Sequence, residues 1–239
     1  MALRAKPRSD VLTSGNERVR TGPWRGDGRT AYLAPLPDAP LPSPGFLRHC
    51  LGELAGRGFT SVITAALAAP ERQPFVAIGF AEQERLRLLV HDLRNLPPLP
   101  HAPLRRARRA DRPAVLAVDA ATFSSFWRLD EWGLDQAVGA TPTTRFRVAT
   151  HADVVVGYAI TGRAGSDGYL QRLAVDPGRQ RAGLGRALVL DGLHWLERRG
   201  AGRALVNTQV GNDAAYRLYV RLGFRPQPSD LAVLRRELG

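Results

Sequence analysis

The clearest apolar period in the chain runs through Leu184, Leu188, Val189, Leu193, Trp195 and Leu196, which share one face of a helix. Arg198, Arg199 and Gly200 follow, cations and a glycine where a helix C-terminus favours both. Upstream, residues 145–150, 153–161 and 168–175 are rich in β-formers and separated by turn formers, so they predict three strands. Downstream, residues 203–210 predict a strand, 213–222 a helix ended by Gly223, and 231–238 a final strand. Asp111 is placed to cap a helix reaching about residue 127, and residues 130–138 predict a second short helix.

The first hundred residues are less regular. Residues 29–36 predict a short strand, and 60–67 are rich in β-formers. Between them residues 44–56 carry Phe46, Leu47, Cys50, Leu51 and Leu54 at amphipathic-helix spacing. Residues 1–28 hold Arg, Gly, Ser and Asp with no sustained period and read as a basic mobile tail. Residues 95–103, NLPPLPHAP, place four prolines in nine positions, which excludes a regular helix or central strand and suits an extended linker. The expected division is therefore a tail (1–28), a first α/β half (29–94), the linker and a second domain (104–239).

A faint repeat connects the two halves. Gly79-Phe80 and Gly223-Phe224 each follow an apolar helix, and each is preceded at the same distance by a glycine that closes an earlier helix, Gly56 and Gly200. At the common offset of 144, Thr64 meets Thr208, Glu71 meets Ala215 and Phe75 meets Tyr219. The first copy is incomplete: Leu41-Pro42-Ser43-Pro44 stands where the second has a glycine loop, and Phe75 has no hydroxyl.

Composition narrows the class. With 239 residues, 44% of them hydrophobic, and no apolar run near the roughly 20 residues of a membrane span, the chain reads as a soluble globular protein without a membrane partner. A single cysteine, Cys50, cannot form an internal disulfide, and the charged MALRAKPRSD start lacks the apolar run of a signal peptide, so a cytoplasmic location is expected. The net charge of +12 suggests nucleic acid, but Lys6 is the only lysine, and an Arg-, Ala-, Gly- and Pro-rich chain carries such a balance as a compositional bias. The run LRRARRA at 104–110 is read as an edge strand with arginines, and a nucleic-acid partner is disfavoured.

The chemistry-bearing stretch is LQRLAVDPGRQRAGLGRALV, residues 170–189. A strand ends at Val175, Asp176-Pro177-Gly178 turns the chain, and Gln180-Arg181-Ala182-Gly183-Leu184-Gly185 leads into the long helix. Gly183 and Gly185 let a ligand approach the backbone, and the first-turn amides have no partners within the helix. Those amides and the helix dipole favour a pyrophosphate, to which Arg181 and Arg186 can add charge-assisted bonds. The loop lacks the Gly-Lys-Ser/Thr ending of a Walker loop and the third glycine of a dinucleotide fingerprint. Two glycines that merely permit tight strand-to-helix packing would account for it equally well.

A second stretch removes that ambiguity. VNTQVGNDAAYRLYVRLGF begins about twenty residues beyond the loop. Together the two resemble the GNAT superfamily of acetyl-CoA-dependent N-acyltransferases over about residues 104–239. Gln180, Gly183 and Gly185 match the family's loop motif, and Asn212, Leu218-Tyr219 and Gly223-Phe224 match its second motif. The resemblance implies an α/β (α+β) fold with a mixed, mostly antiparallel central sheet flanked by helices. Residues 169–175 and 204–210 would splay apart to admit the pantetheine arm.

The same resemblance implies roles. Backbone groups of Leu173 and Val175 would bond the arm as an added strand does, and the Leu173 amide would polarise the thioester carbonyl. Gln180, Arg181, Ala182, Gly183, Leu184, Gly185 and Arg186 would hold the pyrophosphate. Asn212 would bond the arm or cap its helix. Tyr219 would protonate the departing thiolate, a phenol of pKa about 10 being protonated at neutral pH, or else serve as a core aromatic. Gln171 and Arg172, one of which must face away from Leu173, are candidates to touch the acceptor.

The expected reaction moves acetyl from acetyl-CoA, a co-substrate, to a primary amine, in a protein or a small molecule, by direct attack and without a metal. No general base stands on the strand before the loop; Asp130, Glu131, Asp135 and His151 are candidates elsewhere, beside a water chain or an amine that arrives neutral. His194 has no second ligand at metal spacing. The first half is expected to be inactive, and an oligomer is compatible with the sequence. The contrasting reading is a non-catalytic CoA-binding regulator with a nucleic-acid-binding tail.

Overall fold

The computed structural model describes residues 10–25, 27–36 and 38–239. In chain order the strands and helices are β1 Asp10–Ser14, β2 Glu17–Trp24, β3 Asp27–Pro35, α1 Pro44–Gly56, β4 Ser61–Thr64, α2 Ala69–Val76 and β5 Ala81–His91. They continue with β6 Leu104–Arg106, α3 Arg112–Thr122, α4 Glu131–Gly139, β7 Thr143–His151, β8 Val154–Ala164 and β9 Asp167–Val175. The last are α5 Leu184–Arg198, β10 Arg203–Gln209, α6 Asp213–Arg221, β11 Arg225–Pro226 and β12 Leu231–Glu237. The chain forms two compact units, Met1–Arg87 with Pro228–Gly239 and Leu88–Gln227.

In the first unit β1, β2 and β3 form an antiparallel meander, β3 runs parallel to β4, and β12 lies antiparallel between β4 and β5. Phe46, Leu47, Cys50 and Leu54 of α1 are buried, as their spacing requires, with Phe75 of α2 in the same core. Burial pushes the Cys50 thiol up to about 12, so it is a packed, inert group. The tail expected over residues 1–28 is corrected where it is described: residues 10–24 supply two strands. The buried residues of β2 are Val19, Thr21 and Gly22, and one strongly apolar side chain among them leaves too weak a period to mark a strand. Residues 1–9 lie outside the described residues.

The boundary expected at 95–103 also shifts. That segment carries no helix or strand, but the division falls at Arg87/Leu88, and residues 228–239 return to the first unit because β12 finds its ladder partners in β4 and β5. Gly56 ends α1 rather than following it; Gly58, at φ +89°, takes the left-handed position that Gly200 takes at +70° after α5.

The second unit is a sheet in the order β6-β7-β8-β9-β10, antiparallel except for β9 with β10. Ala152 and Asp153, both at positive φ, form the two-residue turn between β7 and β8. α3 and α4 cover one face over Val115, Leu134, Tyr158 and Ile160; α5 and α6 cover the other over Leu170, Leu190, Val206 and Tyr219. Arg105 on edge strand β6 holds Asp111 through two bonds of 2.7 Å, which keeps that carboxyl down at about 2. Asp111 thereby braces the entry to α3 from a helical backbone position instead of capping it, and α3 stops at Thr122, short of the expected end near residue 127.

Candidate active site

A bulge and a gap define the site. On β9 the pairing with β8 steps from Ile160↔Arg172 to Thr161↔Leu170, so Gln171 is an extra residue that kinks the strand. β9 pairs with β10 only over Asp167↔Arg203, Gly168↔Ala204 and Leu205↔Tyr169; beyond these the two strands run on to Val175 and Gln209 unpaired with each other among the described residues. The Asp176 amide donates to Val156 at 2.9 Å, so by alternation Ala174 faces β8 and the backbone groups of Leu173 and Val175 face the gap. The Val175 carbonyl there accepts from Gln180 Nε2 at 3.1 Å and from Thr122 Oγ1 at 3.3 Å. Gln180 thus pins the loop to the strand through its side chain.

The glycine loop is not explained by close packing. A Cβ at Gly183 would meet nothing within 4 Å, and at Gly185 the nearest atom, Leu218 Cδ2, would lie at 3.4 Å. Tight packing is the role of other glycines: a Cβ at Gly168 would stand 2.4 Å from Leu196, and at Gly192 2.6 Å from Thr161. Gly183 is required for its φ of +81°, which turns the chain so that the α5 amides open to solvent. Arg181 and Arg186 are exposed there and hold no ion pair among the described residues, so the loop is a cationic cradle without side chains in its way.

α6 brings the second motif to the same place, since Leu218 is the residue beside Gly185. Asn212 caps α6, accepting from the Ala215 amide at 3.1 Å. Tyr219 is 4% exposed, its ring 5.5 Å from that of Phe224, and desolvation pushes its phenol above the usual range, so it stays protonated.

Residues 106–224 match the model of the acetyltransferase (GNAT) family. The chain is 31% identical over 226 residues to a mycothiol acetyltransferase of Thermobispora bispora, an alignment spanning 81% of this chain and 75% of that protein. The chain belongs to the GNAT family.

A mycothiol acetyltransferase of Frankia alni is 30% identical over 215 residues, covering 74% of this chain and 65% of that protein. One from Nocardia farcinica is 47% identical over 60 residues, 25% of this chain and 20% of that protein. The chain therefore spans less than two thirds of the length of these two relatives. Among solved structures, a tandem GNAT protein from the clavulanic acid biosynthesis pathway superposes with a TM-score of 0.70 at 15% identity, covering 96% of this chain and 82% of that one. A GCN5-related N-acetyltransferase from Kribbella flavida gives 0.62 at 16% identity, covering 95% and 89%. At such identities the likeness is one of fold.

Within this GNAT unit the bulge alters one expectation. Gln171 and Arg172 both turn to the α3–α4 face, Gln171 Nε2 reaching Thr141 Oγ1 at 3.1 Å and Arg172 Nε reaching Asp119 Oδ2 at 2.8 Å. Arg172 is not free for an acceptor: it also holds the Trp127 carbonyl at 2.6 Å and lies 3.5 Å over the Phe123 ring. Asp119, fully buried, further accepts from Tyr158 and from the Leu129 amide at 2.7 Å. The buried network is the feature that sequence reasoning missed; a lone Asp within an apolar helix period was its only signal.

The base candidates are not gathered at the gap. Asp130 caps α4 through the Gly133 amide at 2.7 Å, and Glu131 and Asp135 both hold Arg112. His151 is exposed at the β7–β8 turn. His194 Nε2 lies 2.8 Å from the Pro97 carbonyl, and among the described residues no group of three or more His, Cys, Asp or Glu is placed to hold a metal. No helix among them is long and apolar enough to cross a membrane.

Proposed function

We propose that the protein is an acetyl-CoA-dependent N-acetyltransferase that moves an acetyl group to a primary amine by direct attack. The observation that carries this reading is the parting of β9 and β10 beside the open, glycine-shaped start of α5. The residues fit acetyl-CoA: Leu173 turns its backbone groups, and Val175 its amide, to the gap outside any ladder, as a sheet edge presents them to an added strand, the Val175 carbonyl being held by Gln180 and Thr122. Gln180, Arg181, Ala182, Gly183, Leu184, Gly185 and Arg186 would hold the pyrophosphate, and Asn212, the cap of α6, would bond the arm.

Acetyl-CoA supplies the activated acetyl group. With acetyl-CoA bound, the Leu173 amide, which faces the gap, would stabilise charge developing on the thioester oxygen. Tyr219, kept protonated by burial, would supply the proton to the departing sulfur. With Asp130, Glu131 and Asp135 occupied elsewhere, the amine enters in its neutral form or loses its proton to water. The relatives' name puts mycothiol-related amines first in an acceptor screen, ahead of protein amines.

Calorimetric titration with acetyl-CoA tests the cofactor site, beside a Gly183→Glu variant whose carboxylate enters the anion position at a backbone φ of +81°. Binding in the micromolar range, weakened by about 100-fold or more in a variant that still melts cooperatively, is expected; that loss is roughly 2.7 kcal/mol. A well-folded wild type that takes up no acetyl-CoA overturns the reading.

A further inference from the structure

His91, the last residue of β5, belongs to the second unit and has a side chain only 5% exposed. Its Nδ1 accepts the Leu93 amide at 2.8 Å, which leaves Nε2 as the protonated nitrogen, donating to the Leu222 carbonyl at 3.0 Å. Leu222 is the C-cap of α6, and its carbonyl is among those a helix cannot satisfy from within. The same imidazole stands edge-on to Phe224 at 5.2 Å, and Phe224 packs on Tyr219 at 5.5 Å. Between them Gly223 has φ +92°, and a Cβ there would lie 3.0 Å from His91 Nε2. Three consecutive residues after α6 are therefore set against one ring.

We propose that His91 is a positioning residue for Tyr219: its bond to Leu222 and its contact with Phe224 hold the α6 terminus and the ring on which the phenol leans. This rests on the reading of Tyr219 as the proton donor. The groups about the imidazole are Asp92, 3.9 Å from Nδ1, Arg225, paired with Asp92 at 2.8 Å, the Leu222 carbonyl, and Arg94 and Arg221, which line the same cavity. Burial outweighs these and holds His91 below its usual pKa, so the ring is neutral at pH 7. Acidification through that lowered pKa places a second donor on Nδ1 against the Leu93 amide and breaks the arrangement.

The test measures kcat, KM for acetyl-CoA and melting temperature from about pH 5 to 8 for wild type, His91→Phe, His91→Gln and Tyr219→Phe. Phenylalanine keeps a ring and loses both bonds, whereas glutamine keeps a donor toward Leu222. The expected result is a kcat lower by about 10- to 100-fold in His91→Phe with KM changed less than about twofold, since small misplacements of a reacting group cost that much. Glutamine is expected to restore most of kcat and to lose less activity than wild type at the acid end. An unchanged kcat in His91→Phe, or an acid limb identical in wild type and His91→Gln, overturns the inference. If His91→Phe does not fold, the glutamine variant and the wild-type acid limb decide it. Should Tyr219→Phe leave kcat unchanged, the reading of Tyr219 falls first; should it lower kcat while His91→Phe does not, only the positioning role falls.

Discussion

The two units close their last helices, α2 and α6, identically and differ in what they leave open. After α2, Phe80 donates to the Phe75 carbonyl at 3.2 Å and Gly79 to Val76 at 3.0 Å; after α6, Phe224 donates to Tyr219 and Gly223 to Val220, both at 3.0 Å, at the offset of 144. The two glycines have φ of +91° and +92°. Yet β4 pairs with β3 along its whole length, and the Ala65 amide extends the ladder to Leu33, whereas β10 leaves β9 after Leu205. At the start of α1, Ser43 donates its backbone amide and its hydroxyl to Glu17, an internal carboxylate where α5 presents an open glycine turn. Phe75 stands where Tyr219 stands. We infer that the first unit is a scaffold copy whose anion position and arm slot are filled by its own chain.

The largest effect is expected where the tyrosine is made to resemble its counterpart. Tyr219→Phe removes one hydroxyl from a buried ring, so stability should change by less than about 1 kcal/mol, while kcat should fall about 100-fold or more if the phenol supplies the proton. Steady-state kinetics beside thermal melts separate the two. A variant with full kcat would make Tyr219 a core aromatic like Phe75.

The reverse change is the next largest. Phe75 is fully buried among apolar side chains, 5.4 Å from Phe80 in an edge-on pair. Phe75→Tyr buries a hydroxyl there and should cost about 1–3 kcal/mol in denaturant unfolding, with acetyl-CoA stoichiometry remaining at one per chain. A second binding site appearing in this variant would show that the first unit's slot is open after all.

How much of this was legible depended on which signals survive in local sequence. α5 and α6 were read correctly because their apolar faces repeat over several turns and glycines end them. Gly183 and Gly185 were visible as a motif, but whether they served packing or backbone shape needed the neighbours of each Cβ. β1 and β2 read as tail because the positions that β2 buries are Val19, Thr21 and Gly22, of which only Val19 is strongly apolar, and β5 is hidden because Glu82, Glu84, Arg85 and Arg87 crowd its first seven residues. The bulge at Gln171 is invisible, since nothing in YLQRLAV marks an extra residue, and it decides that Gln171 joins Arg172 on the α3–α4 face. The pairing of β12 with β4 and β5 is a contact across most of the chain, which no local pattern encodes.

The smallest predicted effect tests the charge that separates the two helix starts. Glu17→Gln keeps an acceptor near Ser43 but removes the negative charge from the N-terminus of α1, where the helix dipole favours it. The expected loss is about 0.3–1 kcal/mol at low ionic strength. Because a charge–dipole interaction near the surface is screened within about 10 Å at 0.1 M salt, the gap between variant and wild type should narrow as salt is raised. Urea melts at low and high salt measure this directly. A gap that is independent of salt would mean that Glu17 contributes hydrogen bonding and packing alone. The contrast between an internally compensated α1 and an α5 left to an external anion would then rest on the shape of the Gly183 turn rather than on electrostatics.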